Sequence, residues 1–457
     1  MISPSHPVSG RRVTVVGGQR SGTAVSALLT RRGASVFLTD SGPLNNNARE
    51  DLKTNGVEFE EMGHTPKATR EADFLVVSPG VPTQATIVQD AMRQQIPVYS
   101  EVEVASWFCA APMVTITGSN GKTTTTSLAA HTFTLSGRET FSGGNIGIPF
   151  STFCEKAGAD SIVVLEVSSF QLDHIDTMRP RVSVLLNITP DHLDRYDHTF
   201  EKYAASKMRI VQNQSRGDMV VYNIDDAEVN LRITAVENFN RFEPLAIGLD
   251  DHGLNGAYVK DATICIRLNN VEEELMQVKE SALRGQHNLY NTLAAAVAAR
   301  VMDVRSEVIR ESIRSFEGVA HRLEFVVERD GVKYINDSKA TNVNAMWYAL
   351  ESFHEPIILI AGGRDKGNDY SSVIKLVEDK VKVLIALGEG GPRIVDELGH
   401  LVETVSLVEG MDDAIRFARI MAVPGDVVLL SPACASFDMF DNYEHRGDTF
   451  KELVNEG

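Results

Sequence analysis

The sequence contains few cysteines, and they stand far apart. The four cysteines, at positions 109, 154, 265 and 434, form none of the close pairs that zinc sites and small disulfide frameworks require. We therefore expect neither kind of site, and this cysteine usage fits a reducing compartment best. The expected location is the cytoplasm.

Long apolar runs are also missing. The runs at 357–361 and 427–430 are far shorter than the roughly 20 residues that a membrane-spanning helix needs. Near the N-terminus a strand-length apolar run ends at Gly17, without the longer apolar core of a secretory signal. We expect no membrane span and no secretory signal.

Positive charge is scarce. The 44 lysines and arginines stand against 62 aspartates and glutamates, which gives a formal net charge of -18. Nucleic-acid binding needs clustered positive charge, so we expect no nucleic-acid partner. If the substrates are anions, the few cations must be concentrated where those anions bind.

The length and the order of the apolar runs indicate several domains. A chain of 457 residues is too long for one ordinary core, and about three domains are expected. Short β-branched runs alternate with longer mixed segments, which is typical of α/β domains with parallel sheets. Three such series predict domains at 1–106, 107–317 and 318–457. Their strand-like runs are 13–16, 36–39, 74–77 and 98–99, then 113–117, 162–167, 182–186, 219–222 and 258–268, then 325–327, 333–335, 357–360, 383–386 and 427–430.

A phosphate-binding loop follows the run at 113–117. Backbone amides of small residues at the start of a helix can face phosphate oxygens, a lysine can reach the β- and γ-phosphates, and a threonine can bind magnesium. The usual pattern has another glycine where Ile116 stands, so this is a shortened variant. The predicted ligand is ATP, and the loop residues are Gly118, Ser119, Asn120, Gly121, Lys122, Thr123 and Thr124.

A weaker glycine pattern lies near the N-terminus. Residues 17–22 resemble a dinucleotide-binding turn, but Gln19 stands where the middle glycine would be. Asp40, at the end of the next strand, favours a ribose or nucleotide contact only modestly. A structural turn without a ligand remains an equal alternative.

Further polar loops follow other predicted strands, where ligands bind in open parallel sheets. These loops are 166–171, 187–195, 336–342 and 431–436, and a further glycine-rich segment lies at 143–147. Together with the phosphate loop they resemble the Mur ligase family, and the resemblance covers nearly the whole chain. It implies a Rossmann-like N-terminal domain, a central ATPase-like domain with a parallel sheet, and a Rossmann-like C-terminal domain.

The resemblance also implies the reaction. A carboxylate on a UDP-sugar attacks ATP, and the resulting acyl phosphate then forms an amide bond with an amino acid. The C-terminal loops resemble those of the family member that adds D-glutamate. The implied partners are UDP-N-acetylmuramoyl-L-alanine, D-glutamate and ATP, and the expected oligomeric state is a monomer.

Individual roles follow only from the resemblance. It implies that two magnesium ions are held by Thr123, Glu166, His192 and a carbamylated Lys207. Without it, Lys207 would be interpreted as a solvated helix lysine. It places Asn288 and Asn291 near adenine, where helix capping is the alternative, Asp337 at the ribose and Arg322 beside the phosphates. The implied catalytic residues are Lys122, Glu166, His192, Lys207 and Arg322.

Two further groups of residues are implied for the other substrates. The UDP-substrate group is Arg20, Ser21, Asp40, Ser41, Ser78, Pro79, Gly80, Asn145, Ser168, Gln171 and Arg195. The D-glutamate group is Lys339, Thr341, Lys366, Ser436, Phe437 and Tyr443. Cations and hydroxyls in the latter group suit the two carboxylates of the amino acid.

Other functions remain open at this stage. Another Mur ligase or a folylpolyglutamate synthetase-like enzyme would differ in the amino acid and the acceptor that it uses. A nucleotide-switched binding protein would hydrolyse ATP slowly and bind a partner, but it leaves Lys207 and the C-terminal loops without a role.

Overall fold

The computed structural model describes residues 8–237, 239–365 and 367–456. These residues form three sheets flanked by helices and divide into two compact units. The first unit runs to Ser281 and includes Asn288–Phe316, and the second consists of Ala282–His287 and the chain from Glu317. The first two sheets belong to the first unit, and the third belongs to the second. The α/β fold class is confirmed, while the three domain boundaries stay predictions.

The N-terminal sheet is parallel and has the order β3-β2-β1-β4-β5. Buried valines and leucines line its central strands, because helices cover both faces of such a sheet. The strands are β1 (Arg12–Val16), β2 (Ser35–Thr39), β3 (Glu58–Glu60), β4 (Phe74–Val77) and β5 (Val98–Ser100). The helices are α1 (Arg20–Arg31), α2 (Asn46–Thr54), α3 (Lys67–Arg70), α4 (Thr86–Arg93) and α5 (Glu101–Ser106).

The central sheet has nine strands in the order β14-β13-β12-β11-β10-β9-β6-β8-β7. Every residue of β6 and β8 is buried, which places the following loops on a rigid core. The strands are β6 (Met113–Thr117), β7 (Thr140–Gly144), β8 (Ile162–Glu166), β9 (Val182–Leu185), β10 (Met219–Asn223), β11 (Glu243–Ile247), β12 (Gly256–Lys260), β13 (Thr263–Leu268) and β14 (Val271–Gln277). The helices are α6 (Lys122–Leu135), α7 (Ser169–Leu172), α8 (Phe200–Met208), α9 (Ala227–Thr234), α10 (Gln286–Arg300) and α11 (Ser306–Ser315).

The central sheet is not parallel throughout. The run at 258–268 was predicted as one strand, but it forms parts of β12 and β13, which pair antiparallel, as do β13 and β14. Asp261 and Ala262 make the turn with positive φ values of 49° and 57°. A tight hairpin needs such values, and this pair lacks the glycine that usually signals one.

The third sheet has the order β15-β16-β20-β17-β18-β19. All its neighbouring strands are parallel except β15 and β16, which form a hairpin with Asp330 and Gly331 in its turn. The strands are β15 (Glu324–Arg329), β16 (Val332–Asn336), β17 (Ile357–Gly362), β18 (Val381–Leu387), β19 (Thr404–Val408) and β20 (Val427–Leu430). The helices are α12 (Val343–Glu351), α13 (Ile374–Lys380), α14 (Gly391–Leu398), α15 (Met411–Met421) and α16 (Tyr443–Asn455). None of the described helices is long and apolar enough to cross a membrane.

Two glutamates of α5 fix the N-terminal sheet to the central one. The Glu103 carboxylate is fully buried and accepts bonds from the backbone amides of Asp176, Thr177 and Met178 at 2.8–3.0 Å. Glu101, also fully buried, accepts one bond from the Ser151 amide at 2.6 Å. Its Oε2 has no hydrogen-bond partner among the described residues.

Burial raises the pKa of Glu101 from 4.5 to about 7. The folded state therefore holds this proton more tightly than the unfolded state, so the free energy of unfolding should fall as pH rises from 4.5 to about 7. Glu101→Gln removes this titration. The free energy of unfolding of the variant, relative to wild type, should therefore be roughly 2–3 kcal/mol higher at pH 8 than at pH 5. Urea denaturation of both proteins at the two pH values checks this. Parallel pH profiles would contradict the assignment to Glu101.

Candidate active site

The phosphate loop connects β6 to α6 and is held from one side by the loop after β9. Asn187 accepts a bond from the Asn120 amide at 2.8 Å and donates one to the Asn120 carbonyl at 3.1 Å. The Ser119 and Tyr203 hydroxyls lie 2.8 Å apart. Gly121 has a φ of 82°, and a Cβ there would lie 2.2 Å from Asn291 Oδ1. The loop conformation thus depends on residues from three separate segments.

Lys122 lies at the first position of α6 and folds back over the loop. Its Nζ donates hydrogen bonds to the carbonyls of Gly118 and Ser119, both at 2.9 Å. This places the ammonium group at the phosphate loop, as the sequence predicts.

Glu166 ends β8 and meets two predicted site residues. Its buried carboxylate accepts a bond from the Thr123 hydroxyl at 2.7 Å and one from the Asn145 amide group at 2.8 Å. The backbone at Gly144 lies close against the backbone of Glu166. A side chain would not fit there, because the φ of Gly144 is 101° and a Cβ would lie 2.4 Å from the Glu166 carbonyl. The structure therefore brings Thr123, Asn145 and Glu166 together.

Lys207 is not a solvated lysine. It lies on α8 with 2% exposure, and its Nζ donates to the Gly118 carbonyl at 2.7 Å, the same carbonyl that Lys122 contacts. Burial, with the nearby charge of Lys122, holds the Lys207 pKa well below its usual value, although Asp191 and Glu166 oppose this. This environment therefore favours the neutral amine more than water does.

His192 follows Asp191 in the loop after β9 and has a left-handed backbone with a φ of 52°. Its Nε2 lies 3.6 Å from Asp191 Oδ2, and its ring meets the Phe170 ring edge-on at 5.1 Å. The side chain is partly exposed, so it can still reach a ligand.

The predicted metal ligands fit magnesium only in part. A threonine hydroxyl and a glutamate carboxylate are the hard oxygen donors that this ion prefers, and they are 2.7 Å apart. Among the described residues, no group of three or more His, Cys, Asp or Glu side chains is arranged so that it could hold a metal ion. A lysine amine is a poor partner for magnesium, whereas a carbamate on Lys207 would supply oxygens. The donor set thus suits the ion better if Lys207 is carbamylated.

The two asparagines predicted near adenine lie on α10 and contact each other. Asn291 Nδ2 donates to Asn288 Oδ1 at 3.2 Å, and Asn291 Oδ1 accepts from the Thr125 hydroxyl at 3.2 Å. Both side chains are buried. They support the start of α6, and their adenine contact stays a prediction.

Seven residues of the UDP-substrate group lie at the carboxyl edge of the N-terminal sheet. Asp40 accepts bonds from the amides of Gly18 and Gly42 at 2.6 and 2.8 Å. Ser78 donates to the Gly17 carbonyl at 2.8 Å, and Arg20 donates to the Gly147 carbonyl at 3.3 Å. Ser21 lies on α1, Ser41 is exposed beside Asp40, and Pro79 and Gly80 follow Ser78.

Two residues of the UDP-substrate group shape the backbone after β8. Ser168 caps α7, and its amide donates to Gln171 Oε1 at 3.0 Å, which completes a capping box. Arg195, in contrast, reaches the loop after β4, where it donates to the Val81 carbonyl at 2.9 Å.

In the second unit, Asp337 follows β16 and is buried. It accepts bonds from the Ser431 hydroxyl at 3.0 Å and the Leu323 amide at 3.2 Å. Burial raises its pKa to about 7, and the positive charge of Arg322 opposes the shift. Arg322 and Asp337 therefore share one electrostatic environment.

The D-glutamate group also lies in the second unit. Lys339 Nζ lies 3.2 Å from the Tyr443 hydroxyl and 4.8 Å from the centre of its ring. Thr341 is half-buried, Ser436 is buried and Phe437 is 63% exposed. Lys366 lies outside the described residues, so its predicted role has no structural counterpart here.

Sequence reasoning missed Arg446, which connects two of the predicted loops, 336–342 and 431–436, to the end of β17. This buried guanidinium donates to the carbonyls of Ser338 at 2.8 Å, Cys434 at 3.2 Å and Gly362 at 3.4 Å. Arg446 stands in a strongly charged stretch of α16, where a surface position is the usual expectation. Only the tertiary structure shows that its positive charge is buried.

Three family descriptions match successive parts of the chain. Residues 12–87 match the MurD N-terminal domain, residues 116–299 the Mur ligase middle domain, and residues 321–434 the glutamate ligase domain of Mur ligases.

Full-length relatives agree with these matches. The chain is 56% identical to the UDP-N-acetylmuramoylalanine--D-glutamate ligase of Salinibacter ruber over 97% of both chains. It is 45% identical to that of Chloroherpeton thalassium over 98% of both chains. Among solved structures, UDP-N-acetylmuramate-alanine ligase of Thermotoga maritima shares the fold, with a TM-score of 0.60 and 17% identity over 98% of this chain and 99% of that chain.

Proposed function

Because this chain belongs to the Mur ligase family, we propose that it uses ATP to join D-glutamate to UDP-N-acetylmuramoyl-L-alanine in peptidoglycan precursor biosynthesis. The 56% identity to a D-glutamate ligase over 97% of both chains carries this assignment. We propose further that the enzyme acts in the cytoplasm and as a monomer.

The chemistry has two steps. The terminal carboxylate of the UDP-substrate attacks the γ-phosphate of ATP, and ADP leaves. The amine of D-glutamate then attacks the acyl phosphate, and phosphate leaves as the amide forms. Two anions meet in the first step, so the site must supply positive charge and hydrogen-bond donors at the transferring phosphoryl group.

The central residues support the first step. Lys122 and the amides of the phosphate loop would bind the ATP phosphates, and Arg322 would add charge there. Asn145, which donates to Glu166, would orient the reacting end of the UDP-substrate. Magnesium ions held by Thr123, Glu166, His192 and carbamylated Lys207 would neutralise phosphate charge.

The burial of Lys207 supports its proposed carbamylation. An amine must be uncharged to attack carbon dioxide, and the Lys207 pKa is held low by burial and by Lys122. The attack forms a carbamate anion and releases a proton, and the new negative charge would lie beside the positive charge of Lys122.

The remaining proposed contacts are with parts of the substrates that do not react. Asn288 and Asn291 would lie near the adenine of ATP and Asp337 at its ribose. D-Glutamate would be bound by Lys339, Thr341, Lys366, Ser436, Phe437 and Tyr443. The residues around Asp40 and Ser78 would bind the UDP end.

The assignment is tested by offering purified protein ATP, UDP-N-acetylmuramoyl-L-alanine and a panel of D- and L-amino acids. We expect D-glutamate to exceed L-glutamate by several orders of magnitude in kcat/KM, because the wrong enantiomer leaves buried polar groups unpaired. Phosphate release and product mass are both measured, with the UDP-substrate omitted as a control. Equal use of the two enantiomers would refute the choice of D-glutamate. Phosphate release without a ligated product would favour a nucleotide-switched protein.

A further inference from the structure

Arg195 bridges the two sheets of the first unit. It lies in the short turn Leu193–Tyr196 that follows His192, at the carboxyl edge of the central sheet. Its guanidinium donates to the carbonyls of Val81 at 2.9 Å, Pro79 at 3.4 Å and Gly80 at 3.5 Å. These three residues form the loop after β4, which we call the 79–81 loop.

Two further contacts hold Arg195 in this position. Gln84 Nε2 donates back to the Arg195 carbonyl at 2.6 Å. The Arg195 guanidinium lies over the Phe170 ring, 3.9 Å from its centre. The same ring meets His192 at 5.1 Å. A continuous chain of contacts therefore runs from the 79–81 loop to His192.

A second contact fixes the same segment. The buried His174 ring places Nε2 3.0 Å from the Thr83 hydroxyl, and the His174 carbonyl accepts a bond from the Ser100 amide at 2.9 Å. Burial lowers the pKa of His174 to about 4, so it is neutral under ordinary conditions and adds no charge to this interface.

We propose that Arg195 is a positioning residue that holds the 79–81 loop, and with it the UDP end of the substrate site, at a fixed distance from the reacting end beside His192. This proposal rests on the proposed function for the identity of the substrate. It replaces the sequence-based expectation of a direct substrate contact, because the guanidinium already binds three protein carbonyls and an aromatic ring. A planar fork of donors can hold several carbonyls at once, which a lysine ammonium on a flexible stem does poorly.

The test compares Arg195→Ala and Arg195→Lys with wild type. For both variants we expect KM for UDP-N-acetylmuramoyl-L-alanine to rise about tenfold to hundredfold, while KM for ATP and D-glutamate changes by less than about twofold. Gln84→Ala removes the other half of the contact and should shift the same KM in the same direction by a smaller factor. Arg241→Ala is the matched control, because Arg241 also binds two backbone carbonyls in this unit, of Val211 and Gln212. Arg241→Ala should leave all three KM values unchanged.

Binding of UDP alone, measured by calorimetry, separates this proposal from the proposed function, because it needs no ligation. Weaker UDP binding in Arg195→Ala and Arg195→Lys, with wild-type binding in Arg241→Ala, would support the positioning role even if another amino acid proved to be the substrate. Recovery of wild-type affinity in Arg195→Lys would instead indicate that the positive charge meets the substrate directly. A loss of thermal stability with unchanged UDP affinity would show a structural role only. Either of these two results overturns the proposal.

Discussion

Lys122→Ala should lose almost all ligase activity while the protein remains folded. The lysine contributes positive charge where the transferring phosphoryl group develops its charge, and removal of such a group lowers kcat/KM by about a thousandfold or more. Its Nζ donates to the Gly118 and Ser119 carbonyls and the side chain is only half-buried, so we expect the fold to survive the substitution. Product formation by mass spectrometry and thermal unfolding are measured on the same preparation.

The control for this variant is Lys202→Ala. Lys202 is 57% exposed on α8 and pairs with Asp197, a surface pair of little energetic importance. It should retain full activity. If Lys122→Ala kept near wild-type turnover, the lysine would have no part in the phosphoryl transfer.

Lys207→Ala should be nearly inactive, and small carboxylic acids should partly restore it. If the lysine acts as a carbamate, the substitution removes an anionic group and leaves a buried space beside the Gly118 carbonyl. Formate or acetate can enter that space and supply the missing carboxylate oxygens, which a cation cannot do. Turnover is measured against increasing concentrations of each acid, with methylamine at matched ionic strength as the comparison.

Removal of carbon dioxide from wild-type protein should lower activity reversibly, because the carbamate would decompose to the amine. Lys202→Ala again serves as the control and should respond to neither acid nor amine. Recovery of Lys207→Ala with methylamine but not with acids would mean that the lysine works as a cation. The anionic ligand role proposed for it would then be wrong.

The sequence predicts most of the buried parallel strands, because residues buried on both faces form continuous apolar runs, but it does not predict β3, β7, β11 and β19. The predicted runs 113–117 and 427–430 coincide with β6 and β20. The phosphate loop was equally predictable, since its glycines, lysine and threonines lie in one short stretch of sequence, whereas its supports Asn187, Tyr203 and Asn291 were not. The hairpin between β12 and β13 was missed because its turn residues, Asp261 and Ala262, are not the usual ones.

Long-range contacts in the candidate site had no local signal. The Lys207 side chain donates to the Gly118 carbonyl, which is 89 residues away in the sequence, and only the Tyr203 ring, one turn earlier on α8, is a local contact. The links from Arg446 to Ser338, Gly362 and Cys434 depend on the strand order of the third sheet, and the link from Arg195 to the 79–81 loop joins two different sheets. For Lys207 only the family resemblance pointed to a function, and the structure adds the physical reason why that amine can be reactive.

The hairpin extension of the central sheet also bears on aggregation. Its last strand, β14, is a sheet edge, and unpaired edges invite a strand from another chain. The exposed half of β14 carries Glu272, Glu273 and Glu274, while at the buried half Arg310 of α11 donates to the Leu275 carbonyl at 3.4 Å. The negative charges oppose strand pairing along one half of the edge, and α11 covers the other half. The central sheet, which has the most strands among the described residues, can therefore end at solvent without becoming a template for strand addition.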